Sequence, residues 1–343
     1  MKKITSFPPT SGDIPMNAIE KESNHGEERT MRPGITVFLK FIMVLVLFAC
    51  GSKSYAAEGA SSHYLPGLAG DVLLAVPPQP GLQAANVFFY QSGNVARTVL
   101  EGRVSVNLDL DLFLDVPVAT YTFEKPVLGG TYTMGVAMPF GNANFKGRIT
   151  GPLGNFLSRD ESSFDLSDIV VTPLQLNWNY GYYSLKLAEA VIAPTGSYDI
   201  NNLANLGRNY WSFDTVGAVT WFRPETGLEV SVAPGIMFNT KNNKTNYKTG
   251  TEFHLDFTVN QFLAETFAVG IKGYYYDQLT GDSGSGAVLG NFKSQGLALG
   301  PGFVWIPKAA AGKLTVQGKW QHDLHTRNRF DSDYFTLTAS WKF

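Results

Sequence analysis

Asp333-Tyr334-Phe335-Thr336-Leu337-Thr338-Ala339-Ser340-Trp341-Lys342-Phe343 is the stretch on which the fold turns. Side chains alternate across a strand, so Phe335, Leu337, Ala339, Trp341 and Phe343 share one face. Tyr334, Thr336, Thr338, Ser340 and Lys342 share the other. The alternation runs without a slip to an aromatic last residue. Two environments suit it: a half-buried strand of a soluble sandwich, and a wall strand with lipid on one side and water on the other.

Composition separates the two. Only 16% of the 343 residues are charged and 44% are apolar, whereas soluble domains carry about 25% charge. Beyond residue 56, no stretch approaches the roughly 18 consecutive apolar residues of a membrane helix. The apolar residues are dispersed through alternating stretches, as in a barrel greasy outside and polar within. Lys+Arg 27 against Asp+Glu 29 leaves no basic excess, so nucleic acid is not an expected partner.

The clearest internal alternation runs from Arg103 to Val116. Val104, Val106, Leu108, Leu110, Leu112, Leu114 and Val116 face one way; Arg103, Ser105, Asn107, Asp109, Asp111, Phe113 and Asp115 face the other. Phe253, Leu255, Phe257 and Val259 alternate with Glu252, His254, Asp256, Thr258 and Asn260. Leu314, Val316 and Trp320 alternate with Lys313, Thr315, Gln317, Lys319 and Gln321. Further strands centre on Val87–Tyr90, Thr131–Phe140, Thr172–Tyr180, Tyr183–Ala193, Tyr210–Phe222, Leu228–Phe238, Phe267–Tyr276 and Gly296–Ile306. With the last strand this makes about twelve, an even count as bacterial barrels have.

The connections alternate in length. Glu124–Gly130, Gly181, Arg223–Gly227, Gln261–Glu265 and Pro307–Gly312 are short. Asn142–Ser167, Pro194–Asn209, Asn239–Gly250, Leu279–Lys293 and Asp323–Ser332 are long. A soluble sandwich has no reason to sort loops by side; outer-membrane barrels do, with periplasmic turns and longer extracellular loops. The aromatics sort similarly: Trp178, Tyr180, Trp221, Phe222, Phe262, Phe267, Trp305, Trp341 and Phe343 beside the short turns, and Tyr210, Trp211, Tyr275 and Tyr276 near the long loops. Two interfacial belts are expected of such a wall. The predicted fold is all-β: a transmembrane antiparallel up-and-down barrel over residues 84–343.

The N-terminal 56 residues read as an extension and a signal peptide. Met31 and Arg32 precede an apolar core over about 35–49, and Ser54-Tyr55-Ala56 offers small residues at the peptidase positions, predicting cleavage between Ala56 and Ala57. Residues 1–30 are polar and lack such a core, which makes Met31 the alternative to Met1 as the start of translation. Leu47-Phe48-Ala49-Cys50 resembles a lipoprotein box, so lipidation of Cys50 is the competing outcome. Removal of residues 1–56 takes away 7 Lys/Arg and 5 Asp/Glu, leaving 20 − 24 = −4. Residues 57–83 are rich in Pro and Gly and read as a periplasmic arm or a segment tucked into the lumen.

No catalytic constellation emerges. Gly281-Asp282-Ser283-Gly284 has the form of a serine-protease nucleophile motif, but no histidine lies in a matching context. His322, Asp323 and His325 sit at a strand's outer end with no serine placed beside them, so an enzyme is not expected. No metal-ligand spacing appears, and neither a cofactor nor a metal is predicted. The residues expected to line the pore are Arg103, Asp109, Asp111, Asp115, Lys186, His254, Asp256, Lys272 and Lys319. They either brace the wall or set a field across a constriction. Arg208, Tyr210, Tyr247 and Tyr276 are the expected loop contacts to solute.

Two resemblances add to this. The final stretch resembles the last strand of bacterial outer-membrane barrels, which implies that Trp341 and Phe343 form the signal read by the barrel-assembly machinery. Asn205-Leu206-Gly207-Arg208-Asn209-Tyr210-Trp211, Asn243–Gly250 and Tyr274–Gly286, with Asp168–Pro173 and Gly300-Pro301, resemble the outer-membrane phenol meta-cleavage (MetA) pathway transporter-like family, over roughly residues 60–343. That resemblance implies passive uptake of small hydrophobic or aromatic solutes through the outer membrane of a Gram-negative bacterium, in contact with lipid and lipopolysaccharide. A surface-exposed lipid hydrolase and a closed structural or adhesion barrel are the alternatives.

Overall fold

The computed structural model describes residues 58–66, 68, 71–100, 103–150, 156–291 and 293–343. Cys50, Ala56, Ala57 and the expected signal sequence lie outside them. Fourteen strands form one antiparallel sheet: β1 (Gly81–Leu100), β2 (Arg103–Thr122), β3 (Thr131–Ala137), β4 (Phe140–Thr150), β5 (Phe156–Leu166), β6 (Ile169–Tyr180), β7 (Tyr183–Ala193), β8 (Ser212–Arg223), β9 (Leu228–Asn239), β10 (Glu252–Ala264), β11 (Phe267–Gln278), β12 (Gln295–Trp305), β13 (Leu314–Arg327) and β14 (Asp331–Lys342). β1 pairs with both β14 and β2, which closes the sheet into a barrel. No described helix is long and apolar enough to cross a membrane.

The wall has twelve members, because two of its strands are each broken in two. β3 and β4 run in succession along β2, and β5 and β6 continue one another beside them. The break between β3 and β4 falls at Met138-Pro139, where proline has no N–H for the ladder. Ser167 N donates instead to Pro139 O at 2.9 Å. The predicted loop Asn142–Ser167 is therefore mostly β4 and β5. On β4 Ala143 and Phe145 are buried and alternate with Asn142, Asn144 and Lys146, an alternation too short to read as a strand among its polar neighbours. β1 beyond Asn94 has no partner on β14 and pairs with β2 alone, so β1, β2, β4 and β5 project past the rest of the wall. Likewise Asp323–Ser332 is strand except for residues 328–330.

The end holding Gly81 and Lys342 has connections 123–130, 181–182, 224–227, 265–266 and 306–313. At the opposite end, the loops 194–211, 240–251 and 279–294 are long, and they fold inward rather than outward. Leu203, Ala204, Leu206 and Tyr210 are buried. A β-carbon on Gly207 would lie 2.6 Å from the Gly196 carbonyl carbon, so only glycine lets the 194–211 loop cross itself this closely.

β14 follows its alternation: Phe335, Leu337, Trp341 and Phe343 are exposed on the outer wall, and Tyr334 and Thr336 are buried inside. On β2 the expected faces are exchanged from Leu108 onward, past an irregularity at Asn107 (φ 49°), before which Ser105 is buried as expected. Leu108, Leu110, Leu114 and Val116 are buried and Asp109 and Asp111 exposed. Asp111 accepts a hydrogen bond from Tyr90 Oη at 3.0 Å, and Asp115 one from Asn86 Nδ2 at 2.7 Å. Asp109, Asp111 and Asp115 thus leave the pore-lining set. A period of two defines two faces without saying which is inside. Here an apolar cluster inside the barrel, with Phe89, Phe145, Tyr64 and Tyr274, takes the leucines. The aromatic belts need the same correction, since Tyr210 and Tyr276 at the long-loop end and Phe262 at the short-turn end are buried, Phe262 packed with Ala268, Val304 and Phe222.

Candidate functional site: the lumen and its mouth

Described residues of the Pro/Gly-rich segment, 58–66 and 71–75, are held against the inner face of the wall, as in the lumenal of its two readings. Its deepest anchor is Asp71. Lys319 Nζ lies 2.5 Å from Asp71 Oδ1, both buried, and Lys272 and Asn260 donate to Asp71 O. Asn260 also donates to Glu229 Oε2 at 2.5 Å. Below, Leu73 N donates to Glu229 Oε1, Leu74 N to Ser231 Oγ at 3.3 Å, and Ala75 N to Thr220 Oγ1 at 2.9 Å. These residues join no strand ladder, so the wall's own side chains satisfy their backbone.

Above Asp71, Tyr64 stacks on His254, with centroids 4.3 Å apart, and donates to Asp256 Oδ1 at 3.1 Å. His254 Nε2 lies 2.9 Å from Asp214 Oδ1. The ring lies across Gly235, where a β-carbon would come within 2.3 Å of it. Lys186 completes the wall of β7 on the same inner side. The inward charges therefore brace one another and the segment.

The mouth is organised by Asp168, at the break between β5 and β6. Its carboxylate accepts the backbone N–H groups of Gly196 and Arg208, each at 2.8 Å, and His63 Nε2 stands 2.8 Å away. One residue thus joins the wall, the 194–211 loop and the lumenal segment. His63 Nδ1 lies 2.7 Å from Ser212 Oγ. Burial holds the His63 imidazole below its ordinary pKa against the pull of Asp168. This Asp–His–Ser chain is not a nucleophile. Ser212 is fully buried, its hydroxyl donates to Asn239 Oδ1 at 2.6 Å, and it does not line the cavity beside it.

That cavity, of about 120 Å³, has an apolar wall including Leu110, Leu114, Phe145 and Leu206 and a polar wall including Arg208, Tyr210, Asn242 and Arg329. Arg208 Nη2 donates to Ser61 Oγ at 2.8 Å. Arg329 sits in the turn between β13 and β14, which Asn328 makes in the left-handed region at φ 54°. Its guanidinium carbon lies 4.2 Å from the Tyr276 ring centroid.

Of the predicted lumen residues, Lys186, His254, Asp256, Lys272 and Lys319 face inward; the Arg103 side chain lies outside the described set. Arg208 and Tyr210 reach the cavity. Tyr276 is a wall residue beneath Arg329, and Tyr247 is buried with its hydroxyl on Asp282. Asp282 is filled by donors, Gln278 Nε2 at 2.6 Å and Gly250 N at 3.2 Å, and burial raises its carboxyl to about 7. Among the described residues no cluster suits a metal ion. Sequence reading missed Arg329, His63, Asp71 and Asp168. An arginine between two turn-forming asparagine and phenylalanine neighbours reads as solvated, and the Pro/Gly-rich segment carries no periodicity to place its charged residues.

Comparison with known proteins follows the same lines. The COG4313 outer membrane channel of Pseudomonas putida F1 superposes with a TM-score of 0.60 at 16% identity, covering 78% of this chain and 97% of that one. The β domain of the Bordetella autotransporter BrkA gives 0.41 at 12% identity, over 77% and 100% of the two chains. The NanC porin gives 0.40 at 7%, over 76% and 100%. No curated protein matches the sequence. The likeness to the first of these is one of fold, that of an outer-membrane β-barrel. The family described as "Putative MetA-pathway of phenol degradation" matches residues 96–339, most of the barrel with its mouth loops, and the chain belongs to that family.

Proposed function

We propose that the protein is an outer-membrane channel through which small hydrophobic or aromatic solutes enter by passive diffusion. The observation that carries this reading is the mouth cavity, part apolar and part polar, lying in a closed barrel above a segment held by side-chain hydrogen bonds. Such neutral bonds exchange with water at small net cost, about 0.5–1.5 kcal/mol each, so the stretch around Leu74 and Ala75 is more readily displaced than the strand ladders or the Asp71–Lys319 pair. In this reading the exposed aromatics of the outer wall meet lipid. The short turns face the periplasm, the long loops face lipopolysaccharide, and the assembly machinery reads Phe343.

The filled lumen supports a second reading, a closed structural barrel. A surface lipid hydrolase gains no support, since His322 stands against Asp333 and Trp320 rather than a serine. Planar bilayers holding the refolded protein discriminate between the first two. Discrete conductance steps, with liposome entry of a neutral aromatic solute, are expected of a channel. A silent bilayer containing folded, heat-modifiable protein would establish the closed barrel.

A further inference from the structure

Arg329 is a cation with no anionic partner in contact. It is 6% exposed, and its side chain packs by Cδ against Gly296 before turning over the rings of Tyr276 and Tyr274, 4.2 and 5.8 Å from its guanidinium carbon. It makes no hydrogen bond or ion pair with any described residue. Buried charges are ordinarily paired, because the penalty of leaving water exceeds what an aromatic face returns. The neighbouring carboxylates, Asp323 and Glu252, act on Arg329 through space without touching it. Asp323 accepts Tyr274 Oη at 2.5 Å, Tyr334 Oη at 3.0 Å and Ser332 N at 2.9 Å. Glu252 accepts Asn239 Nδ2 on Oε1 at 3.2 Å, and its Oε2 is buried without a hydrogen bond. Of the two acids lining the cavity, Asp168 is filled by His63 and two backbone amides, and Glu58 faces Asn242 Nδ2 at 3.5 Å.

Arg329 opens onto the cavity, and Arg208 reaches it from the opposite loop. Facing them are the inward leucines of β2 with Phe145 and Leu206. At about 120 Å³ the space is of the order of the ~150 Å³ cavity that takes a benzene ring. One end thus offers planar, fork-shaped donors suited to a carboxylate, and the other offers an apolar surface suited to a flat ring. We infer that the mouth cavity is a binding site for a single-ring organic acid, its carboxylate on Arg329 and its ring against the β2 leucines. This rests on the channel reading for its purpose, since it names the class of solute taken up at the mouth, but not for its chemistry.

Calorimetry on the refolded protein in detergent tests it with three probes: benzoate, benzyl alcohol and acetate. Benzoate is expected to bind at least tenfold more tightly than either of the others. Arg329→Gln, with its folding verified by heat-modifiability, is expected to weaken benzoate at least tenfold and leave benzyl alcohol unchanged. Arg208→Gln, on a loop, is expected to weaken benzoate several-fold, and serves if the Arg329 variant does not fold. Equal binding of benzoate and benzyl alcohol, equal binding of benzoate and acetate, or no benzoate binding at all would each overturn the site. A bilayer without conductance would instead remove the channel and leave the binding result standing.

Discussion

Leu110 shows how far a single side chain's environment depends on the side of the wall it faces. It is 4% exposed and packed in the lumenal cluster with Phe89, Leu114 and Phe145. Leu110→Ala should therefore leave a cavity and cost about 2–5 kcal/mol, measured by denaturant unfolding of the barrel in phospholipid. A cost under about 1 kcal/mol would place Leu110 on the lipid face after all. Asp282 is a second case, this time of charge. Its folded pKa of about 7 lies above the ordinary carboxylate range because burial disfavours the anion. The folded loops then bind the proton more tightly than the unfolded chain, so this stabilisation is complete below about pH 4 and is lost as pH rises through 7. Hydrogen exchange at Gly250 should report an opening equilibrium that grows between pH 4 and 7, by up to about tenfold per pH unit. Asp282→Asn should flatten that slope.

Among the elements, the lumenal segment is the one whose stability is set by few contacts. Asp71 joins it to Lys319 and Lys272, both buried. Removing one partner of a buried pair leaves an uncompensated charge, worth about 3–5 kcal/mol. Asp71→Asn should thus undock the segment without opening the wall, whose ladders it does not join. The expected result is fast exchange at Leu73, Leu74 and Ala75 with β10–β13 still protected. Simultaneous loss of protection in those strands would mean that the segment is part of the barrel's core rather than a guest in it.

For the whole molecule, closure places Phe343 beside β1: its backbone N–H donates to Leu82 O at 3.1 Å, and its ring is exposed on the outer wall. Deleting Phe343 removes one hydrogen bond at the seam and the aromatic that the assembly machinery is expected to read. Outer-membrane yield should fall several-fold with aggregate in the periplasm. Undiminished yield of heat-modifiable protein would dissociate assembly from the last residue. At this scale the barrel was legible in the linear pattern. Alternation in β14, β10 and β13 depends only on each side chain's neighbours two positions away, and about twelve strands follow from counting such stretches. Inward placement of His254, Asp256, Lys272 and Lys319 came from the same parity. What the tertiary structure alone decided was which parity faces the lumen on β2, because Leu110 and Asp109 each have a solvent that suits them until the lumen's contents are known. Those contents are the aperiodic segment around His63, Tyr64 and Asp71, which has no local pattern to read. Its position is set by partners more than 100 residues away, Asp168, Asp256 and Lys319, and only chain closure brings them within hydrogen-bond reach.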